Sequence, residues 1–78
     1  MPDTIEKVRE IVADALDLDV SVIGPDTEAE SIEDWDSVRH LAIVLAIEAE
    51  FGVRFEPEDL AETASVDALA RVAARGRA

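Results

Sequence analysis

A chain of 78 residues with no cysteine has to hold itself together by packing alone. A domain of that size has room for one modest core, and no disulfide framework can staple it. The single histidine, His40, and the missing cysteines also leave no clustered ligand set for a structural zinc. Its apolar residues, 49% of the chain, are largely Ala, Val, Leu and Ile, with only 4% aromatics. Aliphatics of that kind suit a compact helical bundle. Residues 1–78 are therefore expected to form one all-α domain.

Apolar periodicity places the helices. Asp3, with Glu6 three residues on, has the pattern of a capping box, and Ile5, Val8, Ile11, Val12, Ala15 and Leu16 follow at helical spacing. Residues 17–36 have no sustained period. They carry the turn signal Gly24-Pro25-Asp26 and scattered apolar residues at Val20, Val22, Ile23 and Ile32, and are expected to form a long loop pinned to the core by those four. A second helix is predicted from Asp36-Ser37 to Phe51, stopped by Gly52. Val53-Arg54-Phe55 reads as extended, and Pro57 suits the first position of a short third helix through Leu60. Thr63-Ala64-Ser65 interrupts the pattern. Ser65 is placed to cap a fourth helix carrying Val66, Leu69, Val72 and Ala73, and residues 75–78 are expected to fray. Three longer helices and one short one, with a long loop after the first, make a small four-helix bundle.

Charge narrows the range of partners. The net charge is −12, and from Glu10 to Asp36 there are ten acidic residues and no Lys or Arg. Such a surface repels nucleic acid and anionic membranes and favours partners with basic docking patches, although acidity alone also keeps a small protein soluble. The longest apolar run, Leu41 to Ile47 once Ala42 and Ala46 are included, is far short of a membrane span, and Asp3 and Glu6 stand where a signal peptide would be basic. A cytoplasmic, soluble monomer is expected.

The stretch that carries chemistry is Asp34-Trp35-Asp36-Ser37-Val38-Arg39-His40-Leu41. A serine in the first turn of a helix lies near free backbone N–H groups, and a helix N-terminus favours a negative group such as a phosphodiester. Ser37 or Asp36 is equally placed to be no more than the helix cap. Ser37 and His40, three residues apart with Asp34 and Asp36 nearby, also have the spacing of a nucleophile and base. Nothing marks an oxyanion hole, and so small a core leaves little room for a substrate pocket. On that reading His40 is a surface or partner-contact residue.

Asp36-Ser37-Val38, the apolar helix ending Glu48-Ala49-Glu50-Phe51-Gly52-Val53-Arg54-Phe55, then Pro57-Glu58-Asp59-Leu60 and Thr63-Ala64-Ser65-Val66, together resemble the acyl carrier protein family. The resemblance extends back to Pro25-Asp26-Thr27 and so covers nearly the whole chain. It implies a bundle of the acyl-carrier type and a non-catalytic role. It further implies that Ser37 receives 4'-phosphopantetheine from coenzyme A through a phosphopantetheinyl transferase, with Asp36 part of what that transferase reads. The arm would carry acyl or aminoacyl groups as thioesters between loading ligases or transferases and downstream enzymes. An unmodified interaction module with the same fold is the alternative, and the retained serine argues against it. Fatty-acid-synthesis members usually have a small residue before the Asp-Ser pair and Leu after it. Trp35 and Val38 here look more like free-standing carriers of specialised pathways, with Trp35 either a loop anchor or a cargo contact.

The second helix has two apolar stripes. Ile43, Val44, Ile47 and Phe51 form one; Val38, Leu41, Ala42, Leu45 and Ala49 form the other, roughly opposite. A bundle this small cannot enclose a helix on all sides, so the bulkier stripe is expected in the core and the other at the surface. Asp36, Val38, Arg39, Leu41 and Leu45 are the expected partner contacts, on the face that the family uses for docking.

Overall fold

Val8, Val12 and Leu16 are spaced four residues apart, which puts them on one side of a helix, and all three are buried. They belong to α1 (Asp3–Leu16). The computed structural model describes residues 3–60 and 63–75, without the side chain of Asp3, so its expected cap lies outside the described residues. Three further helices follow: α2 (Ser37–Phe51), α3 (Pro57–Leu60) and α4 (Val66–Arg75). Short 3-10 turns at Val20–Val22 and Ala29–Ser31 shape the loop between α1 and α2. The described residues thus form the expected all-α four-helix bundle.

The core is aliphatic. Ile43, Val44 and Ile47 of α2 share one core with Val8 and Val12 of α1 and Val66, Leu69, Val72 and Ala73 of α4, and Ile23, Trp35 and Phe55 from the connecting segments belong to it. Fully burying a side chain of this size stabilises the fold by about 1.5–3 kcal/mol. The α2 stripe assigned to the core is the buried one, with Phe51 packed at its edge.

Each helix end has a local cause. Asp36 caps α2, its carboxylate accepting from the Arg39 N–H at 2.9 Å. Gly52 ends α2 in the left-handed region at φ 67°, where a side chain is disfavoured, and its N–H returns to the Glu48 carbonyl. Ser65 caps α4 by accepting from the Ala68 N–H at 3.1 Å. A short antiparallel contact, Ala29 N–H to Ala64 O and Val66 N–H to Thr27 O, joins the loop to the start of α4.

The loop is held differently from expectation. Ile23 is buried and Ile32 half-buried, but Val20 and Val22 are exposed. In their place Arg9 reaches across from α1 and donates to the carbonyls of Ile23 and Val20. A guanidinium clamp on backbone carbonyls does the work that two valines were expected to do. Arg75, expected to open a frayed tail, is instead the last residue of α4 and pairs with Asp59 of α3 at 2.7 Å. Residues 76–78 lie outside the described residues. No helix among the described residues is long and apolar enough to cross a membrane.

Candidate functional site

The α2 N-terminus divides two jobs between adjacent residues. Asp36 takes the capping role, and its second carboxylate oxygen pairs with the Arg39 guanidinium at 3.4 Å. Ser37 is therefore released from capping. It is the first helical residue, exposed, and among the described residues no hydrogen bond holds its hydroxyl. A free hydroxyl beside unpaired helix N–H groups fits a phosphodiester.

Beside Ser37 lies an open groove of about 420 Å³ between α2, the loop and the end of α3. Trp35, His40, Leu41, Val44 and Leu60 supply most of its wall. Val38, Leu41 and Leu45, at 78%, 56% and 55% exposure, form an apolar stripe running from Ser37 down the outer face of α2. Ala42 and Ala49 are exposed on the same helix. The expected contact residues Asp36, Val38, Arg39, Leu41 and Leu45 are thus all exposed on or beside α2. The acids at its far end are engaged: Glu48 accepts from the Phe55 N–H at 2.8 Å, and Glu50 pairs loosely with Lys7 at 3.9 Å.

His40 departs from the surface role expected of it. It is half-buried, and both ring nitrogens are engaged: Nδ1 with Trp35 Nε1 at 2.9 Å, Nε2 with Thr63 Oγ1 at 3.1 Å. An indole N–H only donates, so Nδ1 must accept and the ring proton sits on Nε2. Nε2 donates to Thr63, whose hydroxyl donates on to the Leu60 carbonyl at 3.3 Å. Burial pushes the pKa of His40 below its ordinary value. No lone pair on this ring is left to take a proton from Ser37, which removes the base from the hydrolase reading. Trp35, 7% exposed, is the loop anchor, and its ring also lines the groove.

The family model described as "Phosphopantetheine attachment site" matches residues 6–73. The chain belongs to the phosphopantetheine-binding acyl carrier family. It is 38% identical to "Polyketide-8 synthase acyl carrier protein 2" of Streptomyces avermitilis, over 85% of this chain and 83% of that protein. It is 34% identical to an acyl carrier protein of Petrotoga mobilis, over 83% of this chain and 76% of that one. Among solved structures, the holo acyl carrier protein of Geobacter metallireducens superposes with a TM-score of 0.84 at 26% identity, covering 99% of this chain and 87% of that one. As a carrier of this family the chain takes a covalent 4'-phosphopantetheine, installed by a phosphopantetheinyl transferase, and works with biosynthetic enzymes.

Proposed function

We propose that Ser37 carries the arm and that the chain, without catalytic activity of its own, presents acyl or aminoacyl intermediates to partner enzymes of a specialised biosynthetic pathway. The observation that carries the attachment point is the exposed, unbonded Ser37 hydroxyl at the first position of α2, beside a cap that Asp36 alone supplies. The arm, when bound, supplies a thiol that holds its cargo as a thioester. Ser37 Oγ forms the bond to the pantetheine phosphorus of coenzyme A, and the nucleotide portion leaves. The hydroxyl proton goes to a base on the transferase, because His40 is committed to Trp35 and Thr63 and the Asp36 carboxylate to the Arg39 N–H.

The likeness to a polyketide carrier and the Trp35-Asp36-Ser37-Val38 sequence support a polyketide-type or nonribosomal-peptide-type pathway over bulk fatty-acid synthesis. In this reading residues 1–78 act as one monomeric domain in the cytoplasm. The exposed stripe of Val38, Leu41 and Leu45, with Asp36 and Arg39 at its head, meets the partners. Incubation with coenzyme A, magnesium and a broad-specificity transferase tests the attachment: intact mass rises by one arm, and Ser37→Ala stays folded and gains none. An alanine variant that still gains the arm refutes the assignment.

A further inference from the structure

Trp35 is the residue before the cap of α2, and His40 is the fourth residue of that helix. At these two positions an apolar pair often clamps the chain's approach to a helix. Here the clamp is made by a tryptophan and a histidine, whose rings stack at a centroid distance of 6.0 Å and an interplanar angle of 30° and are joined by the 2.9 Å hydrogen bond. Ser37 lies between these two residues in the chain and is exposed.

The clamp continues into the rest of the fold. Its hydrogen bonds run in one direction, from Trp35 through His40 and Thr63 to the Leu60 carbonyl, and so tie the loop, α2 and the end of α3 to one another. Thr63 is 1% exposed, and among the described residues no buried side-chain polar atom is left without a partner. Such a chain works only with a bare Nδ1. A proton there would set two N–H donors against each other and strand the buried indole N–H.

We propose that His40 is a positioning residue for the modification of Ser37: it clamps Trp35 and braces it against Thr63, holding the 35–37 turn in the shape a transferase docks on, and it releases that turn when Nδ1 is protonated. The inference rests on the Ser37 reading. Among the described residues the charged side chains next to the clamp's members are Asp34, Asp36 and Arg39 around Trp35 and His40, Glu58 and Asp59 beside Leu60, and Arg71 and Arg75 of α4, which share a hollow with Thr63 and Asp59. Asp36 and Arg39 oppose each other in one ion pair, and Asp59 is answered by Arg75. Burial is what disfavours the charged ring, so release belongs to the acid side of its ordinary titration.

Trp35 is the only tryptophan and the chain has no tyrosine, so intrinsic fluorescence reports the clamp directly. The rate of arm transfer to Ser37 is measured as kcat/KM for the carrier, from about pH 8 to about pH 5, across the imidazole titration range. Three forms are compared: wild type, His40→Phe and His40→Asn, whose amide oxygen accepts from Trp35 but does not titrate. Taking wild type and variant as a ratio cancels the transferase's own pH dependence. His40→Phe should load about fivefold more slowly even at the alkaline end, through KM, because the hydrogen bonds are gone. His40→Asn should recover most of that loss. On acidification the wild type should fall at least about threefold relative to His40→Asn, with a matching fluorescence transition that the Asn variant lacks. A ratio flat with pH, or a fluorescence transition of equal size in His40→Asn, overturns the proposal. Should His40→Phe fail to fold, the His40→Asn ratio and the fluorescence still decide. A wild type that takes no arm at any pH defeats the Ser37 reading instead.

Discussion

The Asp36 carboxylate and the Ser37 hydroxyl stand side by side at the start of α2, but only Asp36 is used by the helix. Its Oδ1 takes the Arg39 N–H at 2.9 Å, and Ser37 remains exposed with its hydroxyl unbonded. In many helices a serine at this point would itself be the cap and its oxygen would be occupied. Moving the cap one residue upstream leaves the hydroxyl available without leaving the helix end bare.

This division can be separated by substitution. Asp36→Ala should cost about 1 kcal/mol of stability, the usual loss for an N-cap. Asp36→Asn keeps an acceptor and should melt within a few tenths of a kcal/mol of wild type. Arm transfer should slow in both if the transferase reads the charge. Equal melting of Asp36→Ala and wild type would show that the cap carries no weight.

The two faces of α2 give opposite predictions for the same chemical change. Ile47 is fully buried, and Ile47→Glu places an unpaired charge in the core, costing several kcal/mol and unfolding so small a domain. Leu45 is exposed, and Leu45→Glu should shift stability by about 0.5 kcal/mol or less while sharply weakening partner binding or loading. Circular dichroism melts alongside a loading assay check both. Normal loading by folded Leu45→Glu would remove this stripe from the docking surface.

These faces are legible in the sequence because α2 has two apolar stripes of unequal bulk and a small bundle can bury only one. The helices and their stops are legible for similar local reasons: Gly52, Pro57 and Ser65 act on their immediate neighbours. The loop is not. Apolarity in an aperiodic segment does not say which way a side chain turns, so Val20 and Val22 look like anchors and prove to be exposed. Arg9 holds the loop, but its bonds to Ile23 and Val20 depend on how the loop folds back over α1. The proposed site is legible at Ser37 and Asp36, because both its parts, cap and free hydroxyl, are neighbours in the chain. The role of His40 is hidden because Thr63 is 23 residues away. Half of that role could have been found from spacing, since Trp35 and His40 occupy the two clamp positions around a helix start.

Acid should weaken the fold through His40. Its pKa in the folded chain lies below the ordinary 6.5, so the unfolded chain binds the proton more readily. The stability this contributes is fully present above about pH 6.5 and is lost as pH falls through the lower, folded value. Neutralising carboxylates on a chain of net charge −12 relieves self-repulsion over part of that range and works the other way. The readout is therefore the difference in melting temperature between wild type and His40→Asn, which should move against the wild type on acidification. A difference constant with pH would contradict the lowering of the His40 pKa by burial.

Salt should slow recognition more than it weakens the bound state. Asp26, Glu28, Glu30, Glu33 and Asp34 are exposed on the loop ahead of Ser37, with no Lys or Arg among them, whereas the outer stripe of α2 is apolar. Long-range steering by the loop is screened over about 10 Å at 0.1 M salt, but apolar contact is not. Association rates measured by stopped flow should fall with ionic strength while dissociation rates change little. Association insensitive to salt would show that the acidity serves solubility alone.

The central claim is that the arm sits on Ser37, and the most direct test is to locate it. The chain has four serines, Ser21, Ser31, Ser37 and Ser65, so fragmentation mass spectrometry of the loaded protein can distinguish them. Ser65 accepts from the Ala68 N–H, and Ser31 donates to the Glu28 carbonyl, which leaves Ser37 as the serine at the start of a long helix with an unbonded hydroxyl. One phosphopantetheine is expected, found only on the fragment containing Ser37 and absent from a folded Ser37→Ala variant. An arm on any other residue, or one still acquired by Ser37→Ala, would contradict it.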